Sequence, residues 1–340
     1  MNRIVLRVTA PKKIEVFSAP IPQPGPHEMV IKISIAGVCR SDLPVYLGQG
    51  TFLPRGPLGF PAISSEIPYP AAFGHEPTGI VESVGSQVTR FAPGDRISGA
   101  CGGAFASHVT ISEFAPFAKL PGSVPVKNCL AEPVMCSLAI ARAAMPPVGG
   151  STAVVGCGYM GLLAISLLHA RGAANIAAFN RSTERLALAR KCGAAHTFHA
   201  SDANAISDAL QITGGAGFDR AVELTGSLNG LLAAAHLIKR PGETDRGVIV
   251  ASSVYDKPEA WPPELGFELM CRCPQVHFVH PGFYPDIHGL MQEAVDACAS
   301  GALPADGLIS HRFAPEELGR AYEMMLDGDK SYMKGAVEFE

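Results

Sequence analysis

The chain has 340 residues, enough for about two domains that each bury a core of their own. It carries 27 basic and 31 acidic side chains, a formal net charge of −4, with no basic tail or patch; this argues against nucleic acid or an anionic membrane surface as a partner. Its nine cysteines are odd in number and scattered, so they predict reduced thiols and a cytoplasmic setting rather than a disulfide framework, and the charges at Arg3 and Arg7 recur too soon for a secretory leader.

Residues 1–145 read as β-rich. Val30–Ile35 alternates as a strand does, Gly79–Gly85 is a second such run, and Pro93-Gly94-Asp95-Arg96 is a turn leading into Ile97. Short strands punctuated by Gly and Pro predict a compact, barrel-like β domain. Two pieces of this half carry reactive groups. Cys39-Arg40-Ser41-Asp42 follows the first strand, and Gly74-His75-Glu76 lies in a later loop. Glu132 follows in Ala131-Glu132-Pro133. A thiolate, an imidazole and a carboxylate on separate loops suit a mononuclear zinc with an open position. Such a zinc polarises a carbonyl or lowers the pKa of a bound alcohol. Asp42 is placed to orient His75, and Ser41, two residues from the thiolate, to pass a proton. Taken singly, each has a plainer reading: a lone Cys is usually a small buried hydrophobe, and a His-Glu pair is usually surface.

The rhythm changes near Pro146-Pro147. Residues 146–170 hold no Asp, Glu, Lys or Arg and would pass for a membrane helix by hydropathy. Their order argues otherwise: a short strand at Thr152–Val155, a glycine turn, then a buried helix over Leu162–Leu168. Further strands are predicted at 175–179, 218–224, 247–251 and 275–279, with helices at 183–192 and 227–239. This alternation predicts a doubly wound parallel sheet. Gly156, Gly158 and Gly161, with Tyr159 and Met160 between them, end the first strand and open its helix. They serve a tight turn, close approach to a pyrophosphate and helix–strand packing; a plain strand–turn–helix is the alternative. At the end of the second strand, where a carboxylate would hold the ribose of NAD, stand Asn180 and Arg181. A cationic fork without a carboxylate favours NADP(H) over NAD(H), unless Arg181 is a solvated surface arginine. Helices at 287–300 and 315–326 follow, and a final strand at 335–339 is expected to return to the first domain. The expected division is 1–147 with 282–340 around 148–281.

Together these motifs resemble the zinc-dependent medium-chain alcohol dehydrogenase family nearly end to end. Gly37-Val38-Cys39-Arg40-Ser41-Asp42 is similar to its first zinc-ligand motif, Gly74-His75-Glu76 to its second, and Glu132-Pro133 to the third ligand of the polyol and threonine dehydrogenase branches. Gly156–Gly161 is similar to its cofactor loop, and Met333–Val337 to its last strand. The resemblance implies a GroES-like catalytic domain split around a Rossmann domain. It implies Cys39, His75 and Glu132 as zinc ligands, Glu76 ligating directly or displacing water, and Lys334 as a basic residue reaching the cofactor phosphates.

Four departures shape the expectations. The four-cysteine structural zinc lobe is missing, with Cys101 alone after Arg96, so one catalytic zinc and no structural zinc is predicted. Extra residues around Gly48–Tyr69 are expected to border the substrate pocket, or to be a surface insertion. Pro44 stands where many members carry a relay histidine, so a proton path must start at Ser41 and run through ribose or water. Asn180-Arg181 is the fourth. The expected activity is hydride transfer between NADP(H) and a small polar alcohol or ketone (polyol, cyclitol or amino alcohol) in a homo-oligomer, dimer or tetramer. The rivals are a zinc-free quinone or enoyl reductase of the same fold and a non-catalytic nucleotide-binding protein.

Overall fold

The long strand Glu28–Val38 organises the first half of the chain, and it is buried along most of its length. It pairs antiparallel with Glu76–Val84 on one side and with the C-terminal strand Gly335–Glu338 on the other. Its N-terminal half also pairs with His108–Ser112. Register shifts at Val30/Ile31 and Ile33/Ile35 let one strand serve these partners in turn. The sheet runs His311–Phe313, Gly335–Glu338, Glu28–Val38, Glu76–Val84, Arg96–Gly99, Phe117–Lys119. Leu6, Val8, Met29, Ile31, Ile33, Phe105 and Phe117 fill its core. As expected, the chain's last strand returns to this sheet.

The computed structural model describes residues 2–53, 62–64, 67–242, 246–253, 255, 259–304 and 308–340. Much of the segment expected to border the substrate pocket, 54–61 with 65–66, therefore lies outside the described residues. Two compact units divide the chain: Met1–Glu132, Met291–Ala299 and Ala305–Glu340 in one, Pro133–Leu290 and Ser300–Pro304 in the other. The seam near 147 expected from composition thus meets a division at Glu132/Pro133, inside the helix Ala131–Ala143.

The second unit is a six-stranded parallel sheet ordered His196–His199, Asn175–Asn180, Ser151–Val155, Arg220–Glu223, Val248–Ala251, Gln275–Phe278. This 3-2-1-4-5-6 order is the dinucleotide-binding arrangement. Ser151–Val155 is buried at every residue because it lies at the centre with helices on both faces. Residues 146–170 resolve into that strand and the helix Tyr159–Ala170, and among the described residues no helix is long and apolar enough to cross a membrane.

Candidate active site

Strand pairing assembles the first cluster. Gly37 is in register with Glu76 on one side and with Ala336 on the other. One strand therefore ends at Val38 just before Cys39, its neighbour begins at Glu76 just after His75, and the third begins just after Lys334. The strand holding Glu76 starts earlier than the 79–85 run read from sequence, because Glu76, Pro77 and Thr78 do not alternate in polarity yet still pair with Gly37, Ala36 and Ile35. A Cβ on Gly37 would meet Glu76 Oε2 at 1.9 Å and Leu130 Cδ1 at 2.9 Å. Only glycine leaves room for that carboxylate over the strand.

Donor atoms of Cys39, His75 and Glu76 all lie within 4.8 Å of one another. Ser41 donates its hydroxyl to Cys39 Sγ at 3.2 Å and stands 3.5 Å from His75 Nε2. Asp42 Oδ1 lies 3.4 Å from His75 Nδ1 and accepts the Gly74 N–H at 3.2 Å. The imidazole is thus held from behind at Nδ1, with Nε2 turned to the Ser41 hydroxyl. Burial lowers the pKa of His75, but hydrogen bonding and charge from Asp42, then Cys39, outweigh it and hold it well above its ordinary value. Soft thiolate, imidazole and carboxylate suit zinc, so the residues fit that metal.

Lys334 takes a partner that its sequence reading did not foresee. It is buried, and its Nζ lies 2.7 Å from Glu76 Oε1 and 2.6 Å from Oε2. Glu132 opens the helix Ala131–Ala143, half-buried, and its carboxylate is outside the 4.8 Å set. Sequence reasoning also missed Tyr322 and Tyr332. Burial raises both phenols, Tyr332 to about 12, and the charges of Cys39 and Glu76 add to the rise in each. Tyr322 stacks on Tyr46 at 4.8 Å, so an apolar wall carrying phenol groups backs the cluster.

The second cluster is the glycine turn. Gly156 has φ 103°, and a Cβ on Gly161 would meet the Gly156 carbonyl oxygen at 2.0 Å. A Cβ on Gly158 would meet only Arg185 Nη1, at 3.9 Å, which leaves open space above the turn. Gly158 is the N-cap of Tyr159–Ala170, and no side chain caps that end. Gly158, Tyr159 and Met160 are half-buried there. Open space, a positive helix end and a free approach fit a pyrophosphate. Asn180 Oδ1 accepts the Ser182 N–H at 2.9 Å, and Arg181 is exposed. Arg185, one turn into the next helix, was not singled out from sequence; its signal was a second basic residue four positions after Arg181.

Two family models match: the alcohol dehydrogenase GroES-like domain over 25–123 and the zinc-binding dehydrogenase domain over 160–258. The chain is 31% identical over 235 residues to an L-threonine 3-dehydrogenase of Bacillus velezensis, a match covering 61% of this chain and 65% of that protein, slightly under two thirds of its length. It is 30% identical over 333 residues to the (R,R)-butanediol dehydrogenase of Bacillus subtilis, covering 90% of each. The crystal structure of 2R,3R-butanediol dehydrogenase from Bacillus subtilis superposes with a TM-score of 0.81 at 26% identity, covering 99% of this chain and 100% of that one. With the GroES-like half and the Rossmann half both matched, the chain belongs to the zinc-type medium-chain alcohol dehydrogenase family.

Proposed function

We propose that the protein is a zinc-dependent oxidoreductase that transfers a hydride between NADP(H) and a small polar alcohol or its ketone: a polyol, cyclitol or amino alcohol. The observation that carries this reading is the convergence of Cys39, His75 and Glu76 donors within 4.8 Å, with the Ser41 hydroxyl against two of them. Cys39 and His75, with Glu76 or Glu132, would hold a zinc ion, which would supply Lewis acidity toward the substrate oxygen, and a bound nicotinamide would supply the hydride chemistry. The chain's own groups do the rest. Asp42 fixes the His75 tautomer. Lys334 holds Glu76 in place and balances its charge. Ser41 carries the proton exchanged with the substrate oxygen, and with Pro44 in the relay position that proton leaves through ribose or water. The named activities of the threonine and butanediol relatives support a polar substrate. Asn180, turned onto the Ser182 backbone, with Arg181 exposed and Arg185 near Gly158, supports the 2′-phosphate of NADP(H). Nine cysteines scattered along the chain accord with the cytoplasm.

The test is zinc content by mass spectrometry, with turnover on 2,3-butanediol, threonine and polyols using each cofactor. The expected result is about one zinc per chain, and NADP(H) preferred. Cys39→Ser should lose zinc and turnover, by at least a hundredfold, while cofactor affinity stays within about twofold. Wild-type turnover in Cys39→Ser would sink the metal role.

A further inference from the structure

A buried charge in the dinucleotide-binding unit takes no part in the chemistry above. Glu223 ends the strand Arg220–Glu223, in register with Val155, the last residue of the central strand. Its side chain is fully buried. Oε1 accepts the Thr225 N–H at 2.6 Å, the Thr225 hydroxyl at 2.5 Å and the Gly226 N–H at 3.2 Å; Oε2 accepts the Tyr255 hydroxyl at 2.6 Å. Two of these partners are backbone N–H groups, which can only donate, and the other two are hydroxyls, a setting that suits a carboxylate. All four donors are neutral, and among the described residues no Lys, Arg or His pairs with it. Tyr255 remains a donor, since burial and then the bond to Glu223 push its hydroxyl above the ordinary value.

The loop this carboxylate shapes borders the glycine turn. Leu224 N–H donates to the Val155 carbonyl at 2.9 Å. A Cβ on Gly156 would meet the Leu224 carbonyl at 3.0 Å and the Thr225 methyl at 3.1 Å. Sheet order reverses between Ser151–Val155 and Arg220–Glu223, and ligands of such sheets occupy the crevice at the carboxyl ends of the strands there. The adenosine ribose belongs at the end of the second strand, at Asn180. The nicotinamide half then falls on the other side of Gly156, where Glu223 stands.

We propose that Glu223 biases the site toward the oxidised cofactor, by setting a fixed negative charge beside a ring that is cationic when oxidised and neutral when reduced. The Glu223 charge sits away from bulk water, where screening is weak. Tyr255 is a positioning residue: it ties the carboxylate to the segment after Val248–Ala251. The proposal rests on reading Gly156–Gly161 as the dinucleotide site.

Glu223→Gln keeps shape and removes charge. Dissociation constants for NADP+ and NADPH are measured separately by fluorescence on the zinc-loaded protein. The expected result is about tenfold weaker NADP+ binding, with NADPH within about twofold of wild type. A purely structural role would weaken both alike. Equal loss of both forms, or no change in either, overturns the proposal while leaving the dinucleotide site intact. Wild type binding neither form overturns both readings. Should Glu223→Gln not fold, Tyr255→Phe decides: it keeps the charge, so the ratio must hold or move toward NADP+, and a move toward NADPH overturns the proposal.

Discussion

Lys334 and Glu76 are 258 positions apart in sequence and form a buried ion pair. Taking one partner from such a pair leaves an uncompensated charge at a cost of about 3–5 kcal/mol. Lys334→Met should therefore lower stability by about that much, read from denaturant unfolding of the metal-free protein. The loss has a signature that separates it from ordinary packing damage. If Glu76 belongs to the metal site, bound zinc replaces the missing ammonium as its counter-charge. Zinc should then raise the melting temperature of Lys334→Met more than that of wild type, since a ligand stabilises by its affinity for the folded state. Equal thermal shifts would remove Glu76 from the ligand set and leave its place to Glu132. Nothing local in Met333-Lys334-Gly335 announces this pair. Cys39, Ser41, His75 and the glycines were legible because each sits in a short motif whose chemistry is local. Lys334–Glu76, the Tyr322 wall and the space over Gly37 exist only once three strands are in register.

At the scale of elements, Glu113 shows how one side chain closes a loop. It follows the strand His108–Ser112, and its carboxylate accepts the Thr89 N–H at 2.9 Å and the Arg90 N–H at 3.1 Å and lies 3.0 Å from His27 Nδ1. The Thr89 N–H first, then His27, hold its pKa at about 2, below the reference 4.5. A depressed folded-state value means the contribution is complete above about pH 4.5 and is lost as the pH falls toward 2. Glu113→Gln should therefore give a shallower fall in stability through that window in acid titrations of the melting temperature; parallel curves would deny Glu113 a part in acid stability. Elements themselves were readable where burial follows a simple period. Five of the six strands of the parallel sheet were found, the clearest being the short apolar runs at Ser151–Val155, Asn175–Asn180 and Val248–Ala251. His196–His199 was missed because an edge strand of half-buried histidines, threonine and phenylalanine has no apolar run. Helix Pro263–Arg272 was missed because Phe267 and Met270 are exposed and blur its pattern.

Those exposed groups bear on the whole molecule. Gln275–Phe278 is the edge of the parallel sheet and is exposed at all four residues, with Phe278 at 72%. An open edge presents unpaired N–H and C=O groups, and natural chains cover it or use it. Gln275 and Val279 turn their N–H groups inward, to the carbonyls of Gly247 and Ala251. By alternation, Val276 and Phe278 point theirs outward. The edge suits the homo-oligomer expected from the sequence: two copies related by a twofold axis would pair these edges antiparallel and continue one sheet into the next, an isologous contact that closes on itself. Val276→Pro removes one outward donor and leaves the inward ladder untouched, as proline on an edge strand permits. Light scattering should show the mass of the wild-type assembly fall to half or to that of one chain, while cofactor affinity stays within about twofold, because the Gly156 turn lies on the other side of the sheet's centre. A wild type that runs as a single chain, or a Val276→Pro assembly of unchanged mass, would mean that this edge pairs with nothing.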